Sequence, residues 1–233
     1  MKIDLNCDLG EGMDNDEAIM PYITSANIAC GFHAGDEQTM RKTLRLAKRF
    51  GVNAGAHPSW DDRENFGRKE MDVSPEETEK LVFEQIQTLA AIAKEEGAIL
   101  SHVKPHGALY NQSAKDIELA TAIARAVKTF SVDLILVGLA GSRSLETGRE
   151  MGVRVAAEGF PDRGYNADGT LMSRLLPGAL IESPEAVAEH ALELIRTRRM
   201  DTLCLHGDHP NAAANAKLLR DVLEKNGVTI SGL

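Results

Sequence analysis

Residues 102–111 read His-Val-Lys-Pro-His-Gly-Ala-Leu-Tyr-Asn, and the ionisable groups in that run alternate. In an extended strand alternate side chains share a face, so His102, Lys104 and His106 point the same way. Burying three ionisable groups on one face is costly unless they do chemistry, bind a ligand or pair with partners. Suitable partners recur along the chain: Asp8 and Glu11, His33 and Asp36, His57, then Glu158, Asp162 and Arg163, and finally His206 and Asp208.

These residue types suit hydrolysis assisted by a divalent cation. Such an ion needs about three imidazole or carboxylate ligands and one open position for water. Asp8, His33, His57, His106 and His206 supply enough donors, and the trio favoured here is Asp8, His57 and His106, with His33 as the alternate. No short motif such as HExxH fixes a ligand set, so a metal-free group of hydrogen-bonded histidines is an equal alternative. Lys104 suits a substrate carboxylate or a developing oxyanion, or an ion pair with Glu158. Glu158 and Asp208 are general-base candidates, since a carboxylate beside histidines can activate water. Arg163 could clamp an anion in a bidentate way or stand solvated in its loop. Asp36, Arg68 and Asp162 read as solvated or capping loop residues.

Each of these groups follows a short apolar or alternating run. Strands are expected at Ile3 to Leu9, Ser25 to Gly31, Val52 to Ala56, from Ala98 through His106, and at Asp133 to Gly138, Val153 to Ala157 and Asp201 to Leu205. Helices are expected at 37–50, from Pro75 to Gly97, and at 115–129, 141–151, 184–199 and 211–226. The second opens on Ser74-Pro75-Glu76-Glu77, a capping box with proline in the first turn. Residues 159–182 read as irregular, and 228–230 as a last short strand or a tail. Alternating strands and helices predict parallel strands in an α/β architecture. Because the polar clusters follow six different strands, a barrel that gathers all strand ends at one mouth fits better than an open sheet with one switch point. The expectation is a single-domain, seven-stranded parallel β/α barrel over residues 1–233. Asp4, Asn6, Asp8, Asn27, Asn53, His57, His102, Lys104, His106, Cys204, His206 and Asp208 keep one parity within their strands. That predicts a wet, polar barrel interior, a pocket rather than a plug.

Composition narrows the function classes. With 26 basic and 35 acidic residues the net charge is −9, which argues against non-specific binding to nucleic acid or to an anionic membrane. Cys7, Cys30 and Cys204 have no CxxC spacing and fit reduced thiols. With no apolar signal core and no run of about 18 apolar residues, a soluble cytoplasmic protein is expected. There is no GxxxxGK[ST] loop, no GxGxxG after a strand and no GxSxG elbow.

Six blocks in order carry a resemblance that nearly spans the chain. They are Asp4-Leu5-Asn6-Cys7-Asp8-Leu9-Gly10-Glu11, the run from Ser25 to Asp36, Gly55-Ala56-His57-Pro58-Ser59, the run from Val103 to Asn111, Glu158-Gly159-Phe160 with Asp162-Arg163, and His206-Gly207-Asp208. Together they resemble the LamB/YcsF family. The resemblance implies a seven-stranded β/α barrel related to the polysaccharide-deacetylase barrels. It also implies ATP-dependent opening of the 5-oxo-L-proline lactam to L-glutamate, with 5-oxoprolinase subunits B and C as partners and ATP as co-substrate. Two departures stand out: Glu37 follows Asp36 where the family usually has proline, and the segment between Ala179 and the last barrel strand is shorter than usual. On this reading Asp8, Lys104, His106, Glu158 and Asp208 are the catalytic candidates. Asn6, His33, Lys104, Arg163 and His206 are the substrate-binding ones, and Asp8, His57 and His106 the metal ligands. A free-standing metal-dependent amide hydrolase or deacetylase is the first alternative, and a non-catalytic ligand-binding protein of the same complex the second.

Overall fold

A computed structural model describes residues 1–173, 176–198, 200–205, 207 and 211–233. Its centre is a closed ring of parallel strands. β1 (Lys2–Leu9) pairs with β2 (Ser25–Ala29) on one side and β7 (Thr202–Leu205) on the other. β3 (Asn53–His57), β4 (Leu100–Val103), β5 (Ile135–Leu139) and β6 (Arg154–Gly159) complete the ring in chain order. The helices between them are α1 (Asp16–Ile19), α2 (Glu37–Phe50), α3 (Pro75–Glu95), α4 (Gly107–Ser113), α5 (Ile117–Phe130), α6 (Arg143–Glu150), α7 (Pro184–Arg198) and α8 (Ala212–Lys225). The segment at 228–230 contains a short strand, β8 (Thr229–Ile230), parallel to the start of β1.

The alternation within the strands divides the molecule into two chemically different interiors. Leu5, Ile28, Ala56, Val103 and Leu136 face outward and meet Leu44, Ile86, Leu89 and Ile123 of the helices in one buried apolar cluster. Each large aliphatic side chain removed from water there contributes about 1.5–3 kcal/mol. The inward parity carries Asp4, Asn6, Ser25, Asn27, His102, Glu158 and Thr202, all buried. Helix ends behave as their sequences dictate. Ser74 and Glu77 form the reciprocal capping box at the start of α3. Asp36 caps α2 through the Thr39 amide, and Gly51 ends that helix in the left-handed region at φ 68°.

Three details differ from the sequence expectation. Strand pairing in β4 stops at Val103, because Pro105 has no amide to donate. The chain nevertheless stays extended, with the Lys104 amide donating to Ala56 O and the His106 amide to Pro58 O. The alternation of His102, Lys104 and His106 therefore survives the end of the strand. Next, the two-turn helix α4 precedes α5, and Asp116 opens α5 by accepting from the Glu118 and Leu119 amides. Finally, the irregular stretch after β6 is tied down by two antiparallel bridges, Arg163 with Leu180 and Tyr165 with Leu171.

Gly55 shows how tightly the inner layer is fitted. The register between β3 and β4 shifts at Ala54/Gly55, and the His102 ring lies across the glycine. A Cβ at residue 55 would stand 2.2 Å from His102 Nε2 and 2.3 Å from its Cδ2. Gly55→Ala should therefore force the imidazole off Asn27 and lower stability by about 1–3 kcal/mol, read as a lower denaturant midpoint; an unchanged midpoint would show that the layer can relax.

Candidate active site

The site is built upward from the strand interiors. At the lowest level Asp4 Oδ1 accepts from Ser25 Oγ at 2.6 Å and from Thr24 Oγ1 at 2.7 Å. Above it Asn6 Nδ2 donates to Glu158 Oε1 at 2.9 Å. Asn27 Nδ2 donates to Asn6 Oδ1 at 2.7 Å and to Asp8 Oδ1 at 2.8 Å. His102 Nε2 lies 2.8 Å from Asn27 Oδ1. This layer is a hydrogen-bonded plug, not the open wet interior expected from the alternation, because neighbouring polar side chains satisfy one another. Burial above all, with the Lys104 charge, pushes the His102 imidazole down to about 3, so it serves the network as a neutral ring.

Lys104 caps the plug. Its ammonium lies 2.9 Å from Asp8 Oδ1 and 2.9 Å from Glu158 Oε1, and donates to Cys204 Sγ at 3.0 Å. Burial disfavours the ammonium, yet Asp8, Cys204 and Glu158 outweigh it and hold its pKa well above the ordinary lysine value. Burial likewise opposes ionisation of Asp8, but His57 and Lys104 together hold that carboxyl well below the usual carboxylate range.

Above Asp8 four side chains converge: Glu11 beyond β1, His33 beyond β2, His57 at the end of β3 and His106 beyond β4. One donor atom from each lies within 4.8 Å of every other, a group able to hold a metal ion. Glu11 Oε1 is 3.2 Å from His33 Nε2 and 3.6 Å from His106 Nδ1. The His33 and His106 rings stack at 3.9 Å between centroids.

The second ring nitrogens decide what this group can do. His57 Nδ1 lies 2.6 Å from Lys104 O, and His106 Nε2 2.9 Å from Phe66 O. A carbonyl can only accept, so both nitrogens carry protons there. In the neutral rings His57 Nε2 and His106 Nδ1 are then lone pairs, and they face each other at 2.9 Å. Two lone pairs at that distance require a cation between or beside them, and the donor set of three imidazoles and one carboxylate suits a borderline divalent ion. Burial first, then the neighbouring imidazoles, push His33 and His106 down to about 2, which keeps both in the ligand form. Phe66, whose carbonyl orients His106, has φ 56°, the one non-glycine residue with positive φ among those described. Strain of that kind is tolerated where the surroundings fix it.

A cavity of about 550 Å³ opens over the group and is lined by Asp8, Glu11, His57, Lys104 and His106 on one side. Tyr110, Leu139, Phe160 and Leu171 form its other wall. The volume suits a small molecule.

Residues 3–233 match the LamB/YcsF family. The chain belongs to that family. It is 50% identical over 247 aligned residues to the 5-oxoprolinase A subunit of Chloroflexus aggregans, covering 99% of this chain and 98% of that one. It superposes on the crystal structure of the lactam utilization protein from Thermus thermophilus with a TM-score of 0.94, at 44% identity over the whole of both chains. A likeness of fold alone extends to the catalytic domain of the peptidoglycan N-acetylglucosamine deacetylase of Eubacterium rectale, with a TM-score of 0.57 at 12% identity over 100% of this chain and 88% of that one.

In this LamB/YcsF barrel His33, His57, Lys104 and His106 come together as the sequence blocks suggest. The favoured metal trio overlaps the converging group without coinciding with it. Asp8 Oδ2 approaches His57 Nε2 at 3.4 Å, while its Oδ1 is engaged by Lys104 and Asn27; the converging group has Glu11 and His33 in place of Asp8. Asn6, expected at the substrate, lies two residues deeper on β1 than Asp8 and is buried in the plug. Glu158 is fully buried beneath the cavity, paired with Lys104 and Asn6. Arg163 reaches the cavity, but its Nε donates to Ala179 O and its Nη2 to Met172 O, bracing the loop after β6. His206 and Asp208 lie outside the described residues. Sequence reasoning passed over Glu11 as a ligand, the Phe66 carbonyl and the aromatic wall. Only Glu11 carried a signal, as the acidic residue just beyond the first strand.

Two outcomes follow from these environments. Metal analysis of the purified chain should find about one divalent ion per chain, lost in His57→Ala and in His106→Ala; a metal-free wild type that keeps its fold would contradict the lone-pair reading. His102 titrates at 6.5 when unfolded and about 3 when folded, so between those values the unfolded chain binds the extra proton. Stability should therefore fall as pH drops through that window, with the His102 ring still neutral by NMR at about pH 5.

Proposed function

We propose that this chain acts as the A subunit of a 5-oxoprolinase, opening the lactam of 5-oxo-L-proline to L-glutamate in an ATP-driven reaction with subunits B and C. The near full-length identity to a protein of that name supports the assignment, as does the close structural match to a lactam utilization protein. The observation that carries the chemistry is the convergence of Glu11, His33, His57 and His106 beneath a small-molecule cavity.

A five-membered lactam is a stable amide, so its opening needs a driving force. Transfer of the ATP γ-phosphoryl group to the ring oxygen supplies one: it leaves ADP and an activated ring carbon, and water addition then releases phosphate and the open chain. The sequence has no phosphate-cradling glycine loop, so we assign ATP binding to the partner subunits and water attack to this barrel. A divalent cation held by Glu11, His33, His57 and His106 would supply Lewis-acid activation of water or of the ring oxygen. Asp8, kept ionised beside His57, is placed to accept a proton from the attacking water. Lys104, kept charged at the floor, stabilises negative charge developing above it. Glu158 and Asn6 act from below by fixing Lys104. The three buried free cysteines suit a reducing compartment, and among the described residues no helix is long and apolar enough to cross a membrane; we place the complex in the cytoplasm.

The same converging group favours one second reading, a free-standing metal-dependent amide hydrolase, which would work without ATP or partners. Glutamate formation from 5-oxo-L-proline separates the two. Turnover is expected only with ATP and subunits B and C present, and Lys104→Ala or His106→Ala in the assembled enzyme should reduce it by about 100-fold or more. Full activity in either variant would refute these roles, and ATP-independent amide cleavage by the chain alone would favour the second reading.

A further inference from the structure

The apolar wall of the cavity contains a polar anomaly. The Tyr110 hydroxyl is buried and makes no hydrogen bond, and neither does Glu158 Oε2. Buried polar atoms are nearly always paired, so two orphans in one place call for a missing partner. Tyr110 lines the cavity and Glu158 does not, which puts the phenol between the carboxylate and whatever the cavity holds. The ring is fixed in that position: it stands one helical turn after His106 and packs edge-on against Phe160, with centroids 5.8 Å apart. After burial, the Glu158 carboxylate is the strongest influence on the phenol, and together they push its pKa well above the ordinary tyrosine value.

A neutral phenol beside a carboxylate directs its single proton at that carboxylate. Its remaining lone pairs then face the cavity as acceptors. Asp8, Glu11 and Lys104 on the opposite wall serve oxygen atoms and water; none of them offers a neutral acceptor for an N–H group. We infer that the Tyr110 hydroxyl oxygen accepts the ring N–H of the lactam while its own proton goes to Glu158 Oε2, so that bound substrate pairs both orphaned atoms at once. Tyr110 is thus the residue that distinguishes a lactam from an oxygen-ring analogue. This rests on the lactam reading of the site but adds to it the group that reads the nitrogen.

The test compares 5-oxo-L-proline with its lactone isostere, 5-oxotetrahydrofuran-2-carboxylate, which lacks only the N–H. Titration calorimetry on the wild-type chain should show the lactam binding about tenfold more tightly, the scale of one buried hydrogen bond. Tyr110→Phe keeps the ring packing and removes the oxygen. It should bring the two affinities within about twofold by weakening the lactam alone, with an unchanged thermal midpoint. A wild type that binds the lactam no more tightly than the lactone, or a Tyr110→Phe chain that retains the preference, would overturn the inference. Failure of the oxoprolinase reading shows separately, as absent turnover with subunits B and C while the binding preference persists.

Discussion

The barrel centre depends on one ammonium group. Lys104 lies between Asp8 and Glu158 with almost no exposure to solvent. Isolated charges in such a place are prohibitively costly, and even a pair is stable only when geometry and further hydrogen bonds offset the lost hydration. Here the offset is complete: Asn6, Asn27 and Cys204 supply the additional contacts. The same group joins β1, β6 and β7 to the end of β4, so closure of the ring and charge balance at its centre are one arrangement.

That arrangement also fixes the chemistry above it. Lys104 holds one oxygen of Asp8 and leaves the other beside His57. The Lys104 carbonyl holds His57 Nδ1, and the Phe66 carbonyl holds His106 Nε2. Two backbone oxygens thus choose both tautomers, and the lone pairs that result converge where Glu11 and His33 also point. Orientation by second partners of this kind is how proteins preset metal-ligand geometry before any ion arrives. The cavity joins this charged wall to an aromatic one, a division suited to a small ring with a polar edge.

The sequence showed a good deal of this. Period-2 alternation located the strands, the Ser74 capping box located α3, and the recurrence of polar groups after successive strands implied a closed barrel with one mouth. His33, His57, Lys104 and His106 were recognisable because each ends or closely follows a strand, and residues so placed must meet at the mouth. Less was visible where two readings share one pattern. The inward parity of Asp4, Asn6 and Asn27 is the same for a water-filled pocket and for a hydrogen-bonded plug, and only side-chain distances separate them. Arg163 has the composition of an anion clamp, yet the loop it sits in folds back so that its guanidinium meets carbonyls of the same loop.

By itself the sequence determined the fold class, the strand faces and the family, because these depend on periodicity and on ordered blocks that are read one residue at a time. Tertiary structure alone decided that Glu11 stands beside His33 and His106 while Asp8 reaches only His57, that Lys104 is shared between two carboxylates, and that Tyr110 is placed against Glu158. Each of these is a distance between atoms from different strands, set by barrel tilt, by the path of a loop such as the one carrying Phe66 at positive φ, and by which of several possible partners reaches a donor first. Such competitions between distant residues leave no local trace in a chain.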